Sequence, residues 1–461
     1  MLKRVLIILG IIVAYRLLAQ IPVPMGDAST FREAVSNLMS KSDFSSFLNL
    51  ISGGGLASFS IILVGLSPYI TGSIVVQLLT KAIPSLEELS NDGETGRRKI
   101  NQWTRMLTVP LAIVQSIAYI FILYQSTLSA NIASEFTPTI GDWALSVTAM
   151  TAGSVILMWL GELITEQGVG NGISTLIFAS IISQLPTTMA SLGNALFDTS
   201  QGSLSLFGWF ELPVNPTVFW IILGFSIAMI VVIYFLVKLN EAQRIITINY
   251  AKRVHGNSSY GGIKSILPIK LIAAGVIPVI FATAFLSLPA LIGQVITTID
   301  SGNEFGATLV SVFSAPSANN YATMYPNGIT GQWFVYPALY FILVFMFTYF
   351  YTSIIFNTKE IADNLQKQGG FIEGVRPGIA TSRYLSKVVN HLDLFGAFSL
   401  GLIAMLPFIT DYIFIVLTGA PIGLSISGTG LLIVVTVALE NLRSVDSRAL
   451  MITYDDYSNE S

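Results

Sequence analysis

Ten apolar stretches, most of them about as long as a bilayer is thick, recur along this chain and limit its fold more than any motif does. A helix needs about 20 apolar residues to cross a ~30 Å hydrocarbon core, since each residue rises about 1.5 Å and every backbone polar group must bond internally. The stretches lie near residues 5–20, 67–80, 107–125, 143–163, 171–190, 216–237, 267–292, 332–355, 392–414 and 424–441. The second is too short to span alone. It follows SGGGLASFSIILVGL at 52–66, which opens on Gly53, Gly54 and Gly55 and stops just before Pro68, and the pair reads as a broken helix. Three glycines give the backbone freedom where a half-helix turns back into the protein, and irregular backbone survives at membrane depth only when buried or lining a cavity. The predicted class is an all-α, polytopic membrane protein of ten transmembrane helices.

Composition agrees with that pattern and removes several function classes. Hydrophobic residues make up 53% of the chain and charged residues only 11%, with a mean hydropathy of +0.71. Soluble domains carry about 25% charged residues, so an ordinary cytosolic enzyme is excluded. With no cysteine and only His255 and His391, the chain has no thiol nucleophile, disulfide, iron–sulfur cluster or Cys/His zinc site, and no metal or cofactor is expected. The N-terminal MLKRVLIILGIIVAYRLLAQ has the layout of a secretory signal. Arg16 interrupts its apolar run and no small-x-small cleavage site follows, so it reads as the first span.

The lysines and arginines set the predicted orientation, because cations near span ends are retained in the cytoplasm. With the N-terminus inside, 20 of the 23 cations fall at cytoplasmic ends. The other three, Arg16, Arg32 and Lys41, lie at or after the outer end of the first span, and the stretches 126–142, 191–215, 293–331 and 415–423 hold none. Both termini are therefore expected in the cytoplasm. The two larger cytoplasmic inserts run over about 238–266 and 356–391. The expected division is an N-terminal half (1–190), an external hinge loop (191–215), a C-terminal half (216–443) and a cytoplasmic tail (444–461). Five spans per half permit an inverted repeat, although no identity between the halves is evident by eye.

Other features resolve less specifically. GVGNGIS at 168–174 has neither a preceding strand nor a Gly-Lys-Ser/Thr ending, which a phosphate cradle requires. Ionisable residues inside spans mark ion-coupled transport, but Arg16, Glu162, Asp411 and Glu440 all lie near span ends, where anchoring or helix-end pairing is the simpler role. Most cytoplasmic cations are explained by topology alone. Arg244, Lys252 and Arg253 in QRIITINYAKR, and Arg376 in GGFIEGVRPG, differ because they lie in long loops away from span ends, where they can dock RNA phosphates or an acidic protein.

QLLTKAIPSLEELSNDGETGRRKINQWTRMLT at 77–108 resembles the loop between the second and third spans of the SecY family, the bacterial protein-translocation channels. IPVP at 21–24, FLNLISGGGLASFSIILVGLSPYITGSIVVQLL at 47–79, GNGISTLIFASII at 170–182, AGVIPVIFA at 274–282, FTYFYTSIIFNTKEIADNLQKQGGFIEGVRPG at 347–378 and LLIVV at 431–435 follow in family order. The resemblance implies two pseudo-symmetric five-helix halves around a central pore in the bacterial cytoplasmic membrane, with an aliphatic constriction, a plug and a lateral gate. Carried over motif by motif, the pore ring is Ile70, Ile74, Ile177, Ile181, Ile280 and Ile433. The plug is about 52–64, with Ser52, Gly53, Gly54, Gly55, Leu56, Phe59, Ile61 and Ile62. The second and seventh spans are the lateral gate, with Gln77, Gln115, Ile272 and Thr283. Partner docking falls to Arg244, Lys252, Arg253 and Arg376.

The implied function is passage of unfolded preproteins, with apolar segments released sideways into lipid and no catalysis by the chain itself. The implied partners are SecE-like and SecG-like small membrane subunits, a SecA-type ATPase, the ribosome, preprotein signal sequences and membrane lipids. Three departures from the family pattern stand out: Ile245 follows Arg244 where a second basic residue is usual, Ile272 replaces a frequent Asn, and the segment ahead of the first span is short. Two other readings are an accessory channel for a few dedicated substrates and an ion-coupled secondary transporter, the latter requiring midplane coupling groups that the spans lack.

Overall fold

The computed structural model describes residues 2–24, 59–129, 139–168, 170–197, 204–206, 210–250, 253–255, 258–260, 264–300, 302–315, 334–418 and 428–460. The first half is built from α1 (Leu2–Leu18), α2 (Ser67–Ala82), a short α3 (Pro84–Asn91), α4 (Gly93–Ser129), α5 (Ile140–Gln167) and α6 (Gly172–Leu196). A small antiparallel hairpin, β1 (Leu204–Leu206) and β2 (Phe210–Leu212), precedes the second half. That half holds α7 (Pro216–Glu241), α8 (Ile277–Ile299), α9 (Glu304–Phe313), α10 (Val335–Ile355), α11 (Thr358–Lys367), α12 (Ile379–Thr418) and α13 (Gly428–Glu460). Nine of the ten expected spans lie almost wholly within one of these helices. Among the described residues, six helical segments suffice to cross a bilayer by length and apolarity, Arg98–Gln125, Ile140–Gln167, Val218–Glu241, Ile277–Ile299, Val335–Lys367 and Ile379–Leu406. The remaining four expected spans are α1, α2, α6 and α13.

The seventh span differs from its expected bounds of 267–292. Residues 264–270 form a strand, and the helix starts at Ile277 and runs to Ile299. Gly275 at φ 63° turns the chain in the left-handed region, and Pro278 sits in the first turn, where its missing N–H costs nothing. Elsewhere, local chemistry sets the ends as the sequence dictates. Thr139 and Asp142 form a capping box on α5, with the Asp142 carboxylate accepting from the Thr139 backbone N at 2.9 Å and its Oγ1 at 2.8 Å. Those bonds hold the carboxyl below the usual aspartate range.

Helices α2, α4, α5 and α6 pack as successive neighbours with α1 against α5, and α8, α10, α12, α13 and α7 do likewise in the second half. The halves meet along two seams. On one, α8 lies against α2 and α4; on the other, α6 lies against α13 and α7. At one end of the bundle, β3 (Gln243–Tyr250) pairs antiparallel with β6 (Lys264–Lys270) on one side and with β7 (Gly370–Ile372) on the other. A second small hairpin, β4 (Arg253–His255) and β5 (Ser258–Tyr260), sits within the β3–β6 connection. The two long inserts that the sequence presents as loops are thus joined in one sheet. Its inner face buries Ile246, Ile269 and Ile372 with Leu385 and Val389 of α12.

Candidate pore, plug and gate

All six ring candidates are buried, and all belong to one apolar cluster. Ile70 and Ile74 come from α2 (3% and 4% exposed), Ile177 and Ile181 from α6 (3% and 7%), Ile280 from α8 (6%) and Ile433 from α13 (8%). Four helices from both halves therefore bring β-branched side chains into a continuous hydrophobic mass, together with Ile62, Leu66, Val279 and Leu432. A narrow constriction lined this way excludes ions by dewetting and offers a moving chain no fixed hydrogen bond.

Of the plug candidates, Ser52, Gly53, Gly54, Gly55 and Leu56 lie outside the described residues. Phe59, Ile61 and Ile62 form the descent into α2. Phe59 and Ile62 are fully buried, and Ile61 packs against the ring cluster. A short antiparallel ladder secures this stretch to IPVP: Val23 N donates to Phe59 O at 2.9 Å, Ile61 N donates to Ile21 O at 3.0 Å, and Pro22 bridges Ser60. Phe59 adopts φ 47°, a left-handed conformation that is unusual for a bulky residue. It sits in a second apolar cluster with Val23, Leu63, Tyr119, Met150 and Leu291, which draws on both halves. On the other side, Ser154 Oγ of α5 donates to Gly65 O at 2.9 Å, and a Cβ on Gly153 would come within 2.2 Å of Ile61 O. The chain crosses α5 here because residue 153 has no side chain.

The gate candidates lie on helices that line the α8 seam or just before it. Gln115 of α4 is 2% exposed, and its Oε1 has no hydrogen-bond partner. Gln77 Nε2 donates to Ser73 Oγ at 2.8 Å while its Oε1 stays unpartnered. Thr283 Oγ1 donates to its own helix at Ile280 O (2.8 Å), and Ile272 is buried before α8 begins. The two candidate gate helices, α2 and α8, start the same way. Gly65 and Gly275 each have φ 63°, the next residues Leu66 and Val276 have φ −89° and −88°, and Pro68 and Pro278 follow at the same offset. This G-x-x-P pattern, GLSP at 65–68 and GVIP at 275–278, is a short internal repeat shared by the two halves.

The docking candidates converge in part. Arg244 is exposed on β3, opposite Ile269 in register, and Arg376 is exposed just past β7. The sheet makes them members of one platform. Arg253 lies in β4, and Lys252 lies outside the described residues. Among the ionisable residues near span ends, Glu162 pairs with Arg105 across α5 and α4 at 2.7 Å. Asp393, which the pattern of span ends does not single out, is 5% exposed on α12. Among the described residues no group of three or more His, Cys, Asp or Glu could hold a metal ion.

Comparison with known proteins gives a consistent picture. The family model described as SecY matches residues 60–442. The protein translocase subunit SecY of Streptomyces scabiei is 38% identical over 464 residues, covering 99% of this chain and 96% of that protein. The subunit of the same name from Corynebacterium glutamicum is 37% identical and covers 98% and 96%, respectively. A solved structure described as "The structure of a protein conducting channel" superposes with a TM-score of 0.64 at 19% identity, covering 95% of this chain and 91% of that one. Sec61 from the canine ribosome–channel complex superposes with a TM-score of 0.62 at 18% identity, covering 95% and 91%. At these identities the two structures bear on the fold alone.

Proposed function

The chain belongs to the SecY family, and from that premise we propose how it works as the protein-conducting channel of a translocase. It is a channel and not an enzyme: it moves unfolded preproteins through the membrane and releases apolar segments sideways into lipid. One observation carries this reading, the convergence of six isoleucines from four helices of both halves into one buried apolar cluster beside Ile62. Taken singly, each is an ordinary isoleucine in a span. Together they make a seal that is dry when closed and unselective when a chain fills it.

Residues 52–64 are the plug, and the ladder between 21–23 and 59–61 is its tether. The α8 seam is the lateral gate. An apolar signal segment binds the parted seam better than the closed one and so shifts the population toward open. The unpartnered Gln115 Oε1 and the buried, nonpolar Ile272 support a gate whose resting bias is set by few polar contacts. The membrane is the bacterial cytoplasmic membrane, with both termini and the β3–β6–β7 sheet in the cytoplasm, as the distribution of cations indicates. Through that sheet, with Arg244, Lys252, Arg253 and Arg376, the channel docks the ribosome or a SecA-type ATPase, which supplies the driving force. SecE-like and SecG-like subunits complete the complex.

The test is reconstitution in lipid vesicles with those subunits, a SecA-type ATPase and a preprotein. Protease-protected preprotein inside the vesicles is the expected result. Substrate-coupled ion flux without polypeptide transit would overturn the reading in favour of a secondary transporter. Depletion of the chain in cells, if it blocked only a few exported proteins, would identify an accessory channel.

A further inference from the structure

The two seams between the halves are built from different chemistry. Helices α2 and α4, which line the α8 seam, bury Thr71 Oγ1, Gln115 Oε1 and Ser116 Oγ without hydrogen-bond partners. The α6–α13 seam is bonded. Ser444 Oγ accepts from Gly170 N at 3.1 Å and donates to Gly168 O at 3.2 Å, so one serine on α13 ties the backbone on both sides of the α5–α6 turn. One helical turn earlier, Asn441 Nδ2 donates to Thr175 Oγ1 at 3.3 Å, and Thr175 Oγ1 donates to Asn171 O at 2.9 Å. Asn171 in turn caps α6, its Oδ1 accepting from Ile173 N and Ser174 N. Gly170, at φ 75°, makes room for this contact, since a Cβ there would lie 2.2 Å from Asn441 Oδ1.

The same stretch of α13 is also fastened within its own half. Arg443 donates from Nη2 to Asn240 O at 3.2 Å and from Nη1 to Asn240 Oδ1 at 3.5 Å, at the end of α7. At the opposite end of this seam, Asn215 N donates to Leu196 O at 2.9 Å, which pinches the base of the α6–α7 connection. Two fixed points, one at each end of a single seam, define an axis.

We propose that Asn441 and Ser444 are positioning residues that make the α5–α6 turn a pivot, so that the halves part along α8 by turning about the α6–α13 seam. Rotation about a line through the two fixed points leaves these short polar contacts nearly unchanged. Sliding one half past the other breaks them together, and backbone groups of the turn lose their partners. The pivot rests on the channel reading above and adds to the expected hinge loop a second fixed point at the sheet end of the bundle.

The chain has no cysteine, so spin labels can be placed without background. Val75→Cys with Phe285→Cys reports the α8 seam, and Ile182→Cys with Leu442→Cys reports the α6–α13 seam; all four side chains are exposed. Distances are measured in the reconstituted channel with and without a synthetic signal peptide carrying one apolar run. In the otherwise unaltered chain, peptide is expected to shift the 75/285 pair to longer distance and leave the 182/442 pair in place. In Asn441→Leu/Ser444→Ala, the 182/442 pair is expected to broaden and shift with peptide, while Ser444→Thr, which keeps the hydroxyl, restores the fixed distance.

Movement of the 182/442 pair in the unaltered chain overturns the pivot alone. An unmoved 182/442 pair in the folded double variant overturns it as well. A channel that neither widens at 75/285 nor passes polypeptide overturns both the channel reading and the pivot.

Discussion

On the proposed pore ring, asparagine at position 74 or 280 attacks the dry state of the seal and spares the wet one. Ile74 and Ile280 are 4% and 6% exposed, so a replacement amide loses nearly all contact with water when the constriction is closed. The surrounding cluster is mostly hydrocarbon, with Leu66, Val279 and Leu432 among its members and the hydroxyls of Tyr15, Tyr336 and Tyr340 as the polar side-chain atoms of its buried set. A buried amide without a partner costs about 1–3 kcal/mol on the scale of protein substitutions. In an open, hydrated pore that cost disappears. At about 1.4 kcal/mol per decade, the ratio of closed to open channels falls roughly 5- to 150-fold for each substitution. The assay is ion conductance in planar bilayers without preprotein.

Two controls separate leak from damage. Ile280→Val removes a methylene but keeps the lining apolar, so conductance is expected to stay at its resting level. Ile8, 7% exposed in the same cluster but on α1, lies outside the ring, so Ile8→Asn is expected to lower stability without raising conductance. Folded, inserted Ile74→Asn and Ile280→Asn channels that conduct no more than the parent would refute the ring assignment.

Other outcomes follow from the same geometry. Gly153→Ala and Gly172→Ala place a Cβ within 2.2 Å of Ile61 O and 1.8 Å of Gly161 O, and are expected to lower stability by about 1–3 kcal/mol in detergent melts, whereas Gly224→Ala, with nothing within 4 Å, is expected to be neutral. Phe59→Gly relieves a left-handed φ worth about 1–2 kcal/mol but gives up a fully buried ring worth about 3–5 kcal/mol, so the net effect is a looser plug tether, read as faster proteolysis near residue 59. Asp142 is held below the usual aspartate range by Thr139, so its contribution to the α5 cap is present above that range and is lost as pH falls through the lowered value; Asp142→Asn is expected to remove this acid dependence from thermal melts. Arg376→Glu is expected to impair motor-driven transport while leaving the melting profile unchanged, since the side chain is exposed on the sheet platform.

The spans were legible because crossing a bilayer imposes a length and an apolarity that composition alone reveals. The start of the seventh was not, since residues 271–276 are apolar or small whether they form helix, strand or turn, and the marks of a break, Pro268 and Lys270 before them and Gly275 and Pro278 at the turn, do not say which element precedes the helix. The sheet was hidden in loops, although Ile246 and Ile248 alternate with exposed residues in β3 as a half-buried strand requires. The ring isoleucines carry no local mark, and only the motif resemblance singled them out. GVGNGIS lacks, in the sequence itself, the strand and Gly-Lys-Ser/Thr ending of a phosphate cradle. The contacts that this motif and the adjoining Thr175 make with Asn441 and Ser444 of α13 span 266 to 276 residues, a separation at which no local pattern reports contact.

The β3–β7 pairing turns two separate insertions into a mechanical linkage. Ile248, Asn249 and Tyr250 register with Ile372, Phe371 and Gly370, so the connection leaving α7 is laced to the one between α10 and α12. A load applied at either insertion is shared by four helices, because a strand cannot be displaced without dragging its hydrogen-bonded neighbour. In the first half, the corresponding α3 only links the consecutive helices α2 and α4. Under the docking proposed above, a partner seated on the platform would load four helices of one half at once rather than a single loop.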